Sequence, residues 1–217
     1  MSDDSPSLYL ITPRLSDAAA FAPVLEAALD AGVIACVLLL LEARDEGVAK
    51  KIVRTLATVA QERGAALLVE DDVQLSLRAG ADGAHIRATD EDGQAALADA
   101  IKKLKPSGIA GAGGLKTRHD AMTAGESEVD YVMFGEPARD GYTPPFSSTL
   151  ERVEWWAEIF NVPVVGFASE LAQVEELAAA GADFVALGAA VWDDERGPAS
   201  AIRDAMAAIA RARANIA

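Results

Sequence analysis

Three consecutive carboxylates, Glu70, Asp71 and Asp72, and a fourth at Asp90 are the residues whose types and spacing best suit chemistry. Mg²⁺ prefers oxygen ligands and often bridges one or two carboxylates to the phosphates of a substrate. Carboxylates held close together repel one another unless a cation or a proton relieves them. Glu70, Asp71 and Asp90 are therefore candidate ligands of one shared Mg²⁺. The alternative interpretation is structural, with Asp72 capping a helix and Glu70 solvated.

These acids belong to a stretch, residues 65–90, that reads as strand, turn, short helix, Gly-terminated turn and strand. The first strand ends on Glu70, and the second contains His85. A parallel strand–helix–strand unit places both strand ends on one side of the sheet, where α/β proteins have their sites. The acids are therefore predicted to share one rim. Because His85 lies inside its strand, a structural, hydrogen-bonded role is favoured, with ligand contact as the alternative.

The rest of the chain repeats the same kind of unit. Apolar segments alternate with helical patterns and predict eight strands, at residues 8–12, 33–41, 65–69, 83–86, 108–112, 129–134, 162–167 and 184–187. The phrase AGAD ends a helix and precedes a strand twice. These units predict an α/β protein that is a single-domain (β/α)8 TIM barrel over residues 8–217, after a disordered tail of residues 1–7. An open doubly wound sheet is the structural alternative.

Composition and charge argue against several classes of protein. The 217 residues are 51% hydrophobic, which is enough for one sizeable core. Lys and Arg number 19 against 34 Asp and Glu, and the net charge of −15 argues against a nucleic-acid partner. A lone cysteine, Cys36, precludes a disulfide within the chain and indicates a cytoplasmic protein. The longest apolar run, residues 33–41, is about half of a membrane span, so no membrane partner is expected.

Loops that follow strands form the active face of a barrel, and most of these loops carry a cation. The cations are Arg14, Arg44, Arg87, Lys116, Arg118, Arg139 and Arg196. A positive rim suits a small phosphorylated substrate. The alternative is that exposed loops simply carry charges of both signs. The last helix, from about residue 198, is amphipathic and is a candidate surface for a homodimer.

Several blocks of the sequence resemble one family of barrel enzymes. They are LYLIT from residue 8, LLVEDDVQLSLRAGADGAHI from residue 67, DYVMFG from residue 130, PVVGF from residue 163 and AAGADFVALGAAV from residue 179. In this order they are similar to thiamine phosphate synthase and its TenI-type relatives over nearly the whole chain. The similarity is most specific at residues 67–90, where family members read approximately LIINDRVDLALAVGADGVHLGQED.

The resemblance implies an enzyme that joins hydroxymethylpyrimidine diphosphate to a thiazole phosphate and releases pyrophosphate, with Mg²⁺ as cofactor. It implies that Asp71 and Asp90 are the metal ligands and that His85 stands at the family's substrate-site histidine. Glu70 replaces the family's Asn beside the metal ligand and is a candidate catalytic residue. The candidate phosphate-binding positions after the last two strands are Ser169, Gly188 and Ala189, of which the last two offer backbone N–H groups.

The sequence also departs from the family's motifs. QLREK falls on residues 37–41, VLLLL; GVSTH falls on residues 111–115, GAGGL; and the GPIFPTxTK loop falls on residues 135–142, GEPARDGY. The candidates to replace the lost cations are Arg14, Arg44, Lys116 and Arg139. Because of these departures, the sequence does not determine which residues bind the substrate.

Three functions therefore stand beside one another. The first is a divergent thiamine phosphate synthase, a transferase. The second is a TenI-type thiazole tautomerase or a related isomerase; the catalytic His of that branch is unmatched, so Lys116 is the candidate acid or base. The third is a catalytically inactive barrel that binds a phosphorylated ligand.

Overall fold

The structure, a computed structural model, describes residues 6–43 and 45–216 of the chain. Its first strand begins at Ser7, so the predicted tail of residues 1–7 extends one residue too far towards the C-terminus. Residues 1–5 and the candidate Arg44 lie outside the described residues. Within the described ranges, no helix is long and apolar enough to cross a membrane.

Eight parallel strands close into a barrel in which each strand pairs with the next. They are β1 (Ser7–Leu15), β2 (Ile34–Leu41), β3 (Ala66–Glu70), β4 (Gly83–Arg87), β5 (Ile109–Gly113), β6 (Tyr131–Phe134), β7 (Val164–Ala168) and β8 (Phe184–Leu187). The ring is closed because β8 pairs in parallel with β1, where Leu10 stands opposite Leu187. The predicted single-domain (β/α)8 barrel is confirmed, and the open-sheet alternative is wrong.

Helices connect the strands around the outside of the barrel. They are α1 (Ala22–Leu29), α2 (Glu46–Gln61), α3 (Val73–Ala79), α4 (Glu91–Leu104), α5 (Arg118–Gly125), α6 (Phe146–Ile159), α7 (Val174–Ala179), α8 (Ala189–Trp192) and α9 (Pro198–Ile216), with a 3₁₀ turn at Leu171–Gln173. Asp72, Asp90 and Thr117 cap α3, α4 and α5, because each side chain accepts a hydrogen bond from a backbone N–H of the first turn. These caps set where each helix leaves the rim.

Alternate residues of each strand face two different cores. On β2, Val37 and Leu39 pack outward among the helices. Cys36 and Leu38 pack inside the barrel, and the half-buried Leu40 packs against that inner cluster. Of residues 37–41, on which QLREK falls, Val37 and Leu39 therefore face the helices, whereas Leu38 and Leu40 face the barrel interior. The β2 residues that face the barrel interior are apolar.

Candidate active site

Glu70 is a nearly buried carboxylate at the end of β3, with 5% of its side chain exposed. Its Oε1 accepts a hydrogen bond from Arg87 Nε at 2.8 Å, and its Oε2 accepts one from Arg14 Nη2 at 3.1 Å. Burial raises the pKa of Glu70, but the hydrogen bond and charge of Arg87, followed by those of Arg14, outweigh burial and hold the pKa below its ordinary value. Glu70 is thus an anchor for two arginines.

Asp71, the next residue, ties the ends of β3 and β4 together. Its backbone is left-handed, with φ at 52°, a conformation that Asp adopts more readily than most residues. Its N–H donates to His85 O at 2.9 Å, and its Oδ1 accepts from the Arg87 N–H at 2.7 Å. Its Oδ2 lies 2.6 Å from Nη2 of Arg139, which comes from the loop after β6. The carboxylate is thereby held at the rim with one guanidinium on it.

Asp90 caps α4, because its Oδ1 accepts a hydrogen bond from the Gly93 N–H at 2.9 Å. No hydrogen bond or ion pair joins Asp71 to Asp90, and across residues 6–43 and 45–216 no three His, Cys, Asp or Glu side chains converge as a metal site. Mg²⁺ sites commonly use one or two carboxylates and draw their other oxygens from substrate phosphates and water. Asp71 and Asp90 follow neighbouring strands, and both carry oxygen donors of the type that Mg²⁺ prefers.

A chain of hydrogen bonds runs through the barrel interior beneath the rim. Nδ1 of His85 lies 2.8 Å from the Tyr131 hydroxyl, which lies 2.8 Å from the Tyr9 hydroxyl. Nε2 of His85 is buried and has no partner in the part of the chain that the structure describes. Burial, followed by the charge of Arg87, lowers the pKa of His85 to about 3, so the ring is neutral at neutral pH. Nδ1 therefore belongs to the internal hydrogen-bond chain, whereas Nε2 makes no hydrogen bond within the described residues.

Glu136 is a buried carboxyl that the sequence reasoning missed. Its Oε1 accepts a hydrogen bond from the Gly114 N–H. Burial raises the pKa of Glu136 above its ordinary value, against the smaller opposing effects of the Gly114 N–H and of Arg87. The available signal was an acid directly after β6 and Gly135, where the family reads GPIFPT. Side chains at strand ends of a barrel are the ones that reach the site.

Two of the cavities that open at the rim share a wall. The first, here called the mouth cavity, measures about 370 Å³, and its wall includes the apolar residues Ile11, Leu38, Leu40, Phe167 and Trp192. The second, here called the side cavity, measures about 350 Å³ and is lined by Thr89, Lys116, Tyr142, Ser148 and Arg152 among others. Arg87, Glu136 and Ala138 line both cavities. Each volume lies in the range of small-molecule sites.

Most of the predicted rim cations are paired with carboxylates. Arg14 and Arg87 bind Glu70, Arg139 binds Asp71, Arg118 binds Glu151, and Arg196 binds Asp194 and Asp204. Lys116 lines the side cavity and is the one member of this predicted set, among the described residues, without a carboxylate partner. The rim therefore matches the expectation of loops with both signs of charge better than that of an open anion site.

The two candidate phosphate loops differ in what they offer a ligand. Gly188 and Ala189 line the mouth cavity at the start of α8. Ser169 instead bonds within its own loop. Its N–H donates to Gln173 Oε1 at 2.9 Å, and its hydroxyl lies 3.2 Å from the same atom. The loop after β8 is thus the one that faces a cavity.

The fold and the rim define the class of protein, a (β/α)8 barrel whose cavities and charged side chains lie at the face where such barrels bind small molecules. Its fold is similar to that of thiamine phosphate pyrophosphorylase from Pyrococcus furiosus, with a TM-score of 0.77 and 22% identity. That similarity covers 95% of this chain and 96% of the other.

Sequence comparison identifies the family. A family model described as thiamine monophosphate synthase matches residues 8–191. The thiamine-phosphate synthase of Rhodospirillum centenum is 38% identical over 201 residues, which cover 91% of this chain and 94% of the relative. That of Hyphomonas neptunium is 36% identical over 206 residues and covers 90% of each. The chain belongs to the thiamine phosphate synthase/TenI family, as the resemblance in its motifs implies.

Proposed function

We propose that this chain is a thiamine-phosphate synthase, which joins hydroxymethylpyrimidine diphosphate to a thiazole phosphate and releases pyrophosphate. Family membership and the names of relatives that match most of the chain support the proposal. The observation that carries it is Asp71, whose left-handed backbone and contacts to two strand ends hold a carboxylate at the rim, where the resemblance implies a metal ligand.

The chemistry asks the protein for positioning and charge rather than for a nucleophile. Asp71 and Asp90 would hold Mg²⁺, and the ion would supply positive charge that neutralises the departing pyrophosphate. Arg139 is 65% exposed and comes from a loop, so it can exchange Asp71 for a phosphate oxygen at little desolvation cost. The apolar wall of the mouth cavity keeps water, a competing nucleophile, away from the carbon that loses the diphosphate.

Turnover of the two substrates with Mg²⁺ tests the proposal, with thiamine phosphate and pyrophosphate measured in equal amounts. Asp71→Asn is expected to lower kcat/KM by roughly tenfold or more, because an amide is a weaker ligand for a hard cation.

Asp72→Asn is the matched control for this prediction. Asp72 accepts from the Leu75 N–H at 2.8 Å, and Asn caps a helix about as well as Asp, so turnover should be unchanged. Absence of product from the unmodified chain at high concentration would end the proposal. Equal losses in the two variants would remove the assigned role of Asp71.

A second candidate function, TenI-type thiazole isomerisation, is favoured by Lys116. This unpaired cation shares the side cavity with the buried acid Glu136, which places an acid–base pair around one space. If the chain is such an isomerase, Lys116→Ala lowers the isomerisation rate by about tenfold or more, while Lys102→Ala on the exposed face of α4 leaves it unchanged. An unaffected rate in Lys116→Ala would reject this function. Binding of thiazole phosphate without either reaction would indicate an inactive barrel.

The cytoplasm is the proposed location of the protein, because its lone Cys36 is buried and has no second cysteine to pair with. The proposed partners are the small phosphorylated substrates. A homodimer through α9 stays a prediction, and in the structure that helix packs against α1 and α7 of its own chain.

A further inference from the structure

Glu136 and His85 approach each other across Gly113, at the end of β5. A Cβ built at Gly113 would lie under 3.0 Å from both Nε2 of His85 and Oε1 of Glu136, which real Cβ atoms essentially never do. The missing side chain at this position is therefore what lets the imidazole and the carboxyl face each other. Glu136 lines both cavities, whereas His85 is fully buried below them.

The hydrogen-bond chain in the barrel interior assigns a proton to Nε2 of His85. Cys36 is buried beside Tyr9, its neighbour across β1 and β2, at the far end of the chain. Because sulfur is a weak acceptor, the stronger arrangement has each tyrosine hydroxyl donating towards Nδ1 of His85. A neutral ring that accepts at Nδ1 carries its hydrogen on Nε2. Nε2 of His85 and Oε1 of Glu136 both lie next to Gly113, and Oε1 accepts a hydrogen bond from the Gly114 N–H.

We infer that Glu136 selects the ring of the ligand, by accepting an N–H from an amino-substituted nitrogen heterocycle bound in the mouth cavity. The Gly114 N–H donates to the carboxyl in the wall between the cavities and so helps to set its orientation before a ligand arrives. The inference rests on the proposed function, whose pyrimidine substrate is a nitrogen heterocycle, and it names the side chain that recognises an N–H group on that ring.

The mouth cavity has the shape and chemistry that such a ring needs. Leu38, Leu40 and Phe167 offer apolar surface to a flat ring. Trp192 is oriented by a hydrogen bond from its indole N–H to Ile11 O at 2.6 Å. A ring with a carbonyl in place of the amino group would set two acceptors against each other at Glu136. A site built to accept a hydrogen bond rejects such an analogue strongly, because a buried group is left unpaired.

Calorimetry on the full chain tests the inference with two unphosphorylated probes. They are 4-amino-5-hydroxymethyl-2-methylpyrimidine and its analogue with a 4-oxo group. The amino form is expected to bind at least about tenfold more tightly to the unmodified chain. In Glu136→Gln the amide N–H₂ donates to the oxo group, so the ratio of the two affinities should fall by about tenfold or more. Glu151→Gln, on the exposed face of α6, should leave the ratio unchanged.

A ratio of affinities separates recognition from folding, because partial unfolding weakens both probes equally. If Glu136→Gln does not fold, Glu136→Asp keeps the acid, and it should bind both probes more weakly but retain the preference. An unmodified chain without preference, or an unchanged ratio in a folded Glu136→Gln variant, would overturn the inference. If the chain turns over its substrates but the ratio of affinities is unchanged in Glu136→Gln, the proposed function is supported and the inference about Glu136 is rejected. If the preference for the amino probe depends on Glu136 but no turnover occurs, the inference about Glu136 is supported and the proposed function is rejected.

Discussion

Replacing Glu70 by alanine is expected to lower the free energy of unfolding by about 3 kcal/mol. Arg87, with 13% of its side chain exposed, would keep its charge and its bond to Pro137 O but would lose its carboxylate partner. A buried charge left without its partner is costly even where the intact pair adds little over an apolar substitute. Arg14 is 43% exposed and is screened by water, so its share of the loss is small.

Urea unfolding followed by tryptophan fluorescence measures this loss, and Glu151→Ala is the matched control. Glu151 pairs with Arg118, and the two side chains are 72% and 54% exposed, so its removal should cost less than about 1 kcal/mol. Glu70→Gln should fall between the two, because the amide oxygen still accepts from Arg87. A loss in Glu70→Ala no larger than the control's would mean that the arginines do not depend on this carboxylate.

Acidification from about pH 7.5 to about pH 4.5 is expected to remove about 2.7 kcal/mol of folding free energy through His85. The native ring has a pKa of about 3, because burial and then the charge of Arg87 oppose its protonation, whereas the ordinary value is 6.5. Between these two values the unfolded chain binds a proton that the native chain does not. Stability therefore falls as the pH falls, by about 1.4 kcal/mol per unit, and the loss ends near the native pKa.

His85→Phe isolates this effect, because it removes the titrating ring and leaves a pH-independent cost at Tyr131. The difference in unfolding free energy between the unmodified chain and the variant should shrink by about 2.7 kcal/mol over the same pH range. Two other buried acids, Glu70 and Glu136, titrate in both proteins. Protonation of Glu136, whose pKa is raised by burial, increases the stability of the native state. Protonation of Glu70, whose pKa is lowered, decreases stability, and it does so only around and below the ordinary value of 4.5. Parallel curves would show that His85 titrates equally in both states.

The rim differs from the one that the family resemblance implies, because it has apolar side chains in place of polar ones and a carboxylate in place of a neutral amide. Where the family's strand two carries polar side chains, the inward positions Cys36, Leu38 and Leu40 are apolar. Where the family has a neutral Asn, Glu70 holds two arginines. A diphosphate arriving at this rim has to replace carboxylates on guanidinium groups that are already paired, which makes its affinity sensitive to salt and to the acids as well as to the cations.

The order of elements could be predicted from the sequence, because its signals are local. An all-apolar β2 indicates a strand buried on both faces. Gly80, with φ at 82°, ends α3, and the carboxylates of Asp72 and Asp90 start helices, as their residue types predict. Repetition of these signals eight times predicts closure of the barrel. The acids at the ends of β3 and β4 reach a common rim for the same reason.

The partners of those acids could not be predicted, because they depend on which side chains the closed barrel brings together. Arg139 reaches Asp71 from a loop 68 positions away, and His85 meets Tyr131 at a separation of 46. Glu136 carries no motif, and it becomes a candidate ligand-binding group only because it is buried beside an imidazole whose Nε2 has no partner among the described residues. Local sequence sets the caps, turns and strand faces through the backbone. Pairing, burial and pKa arise from packing between distant segments, which no local pattern encodes.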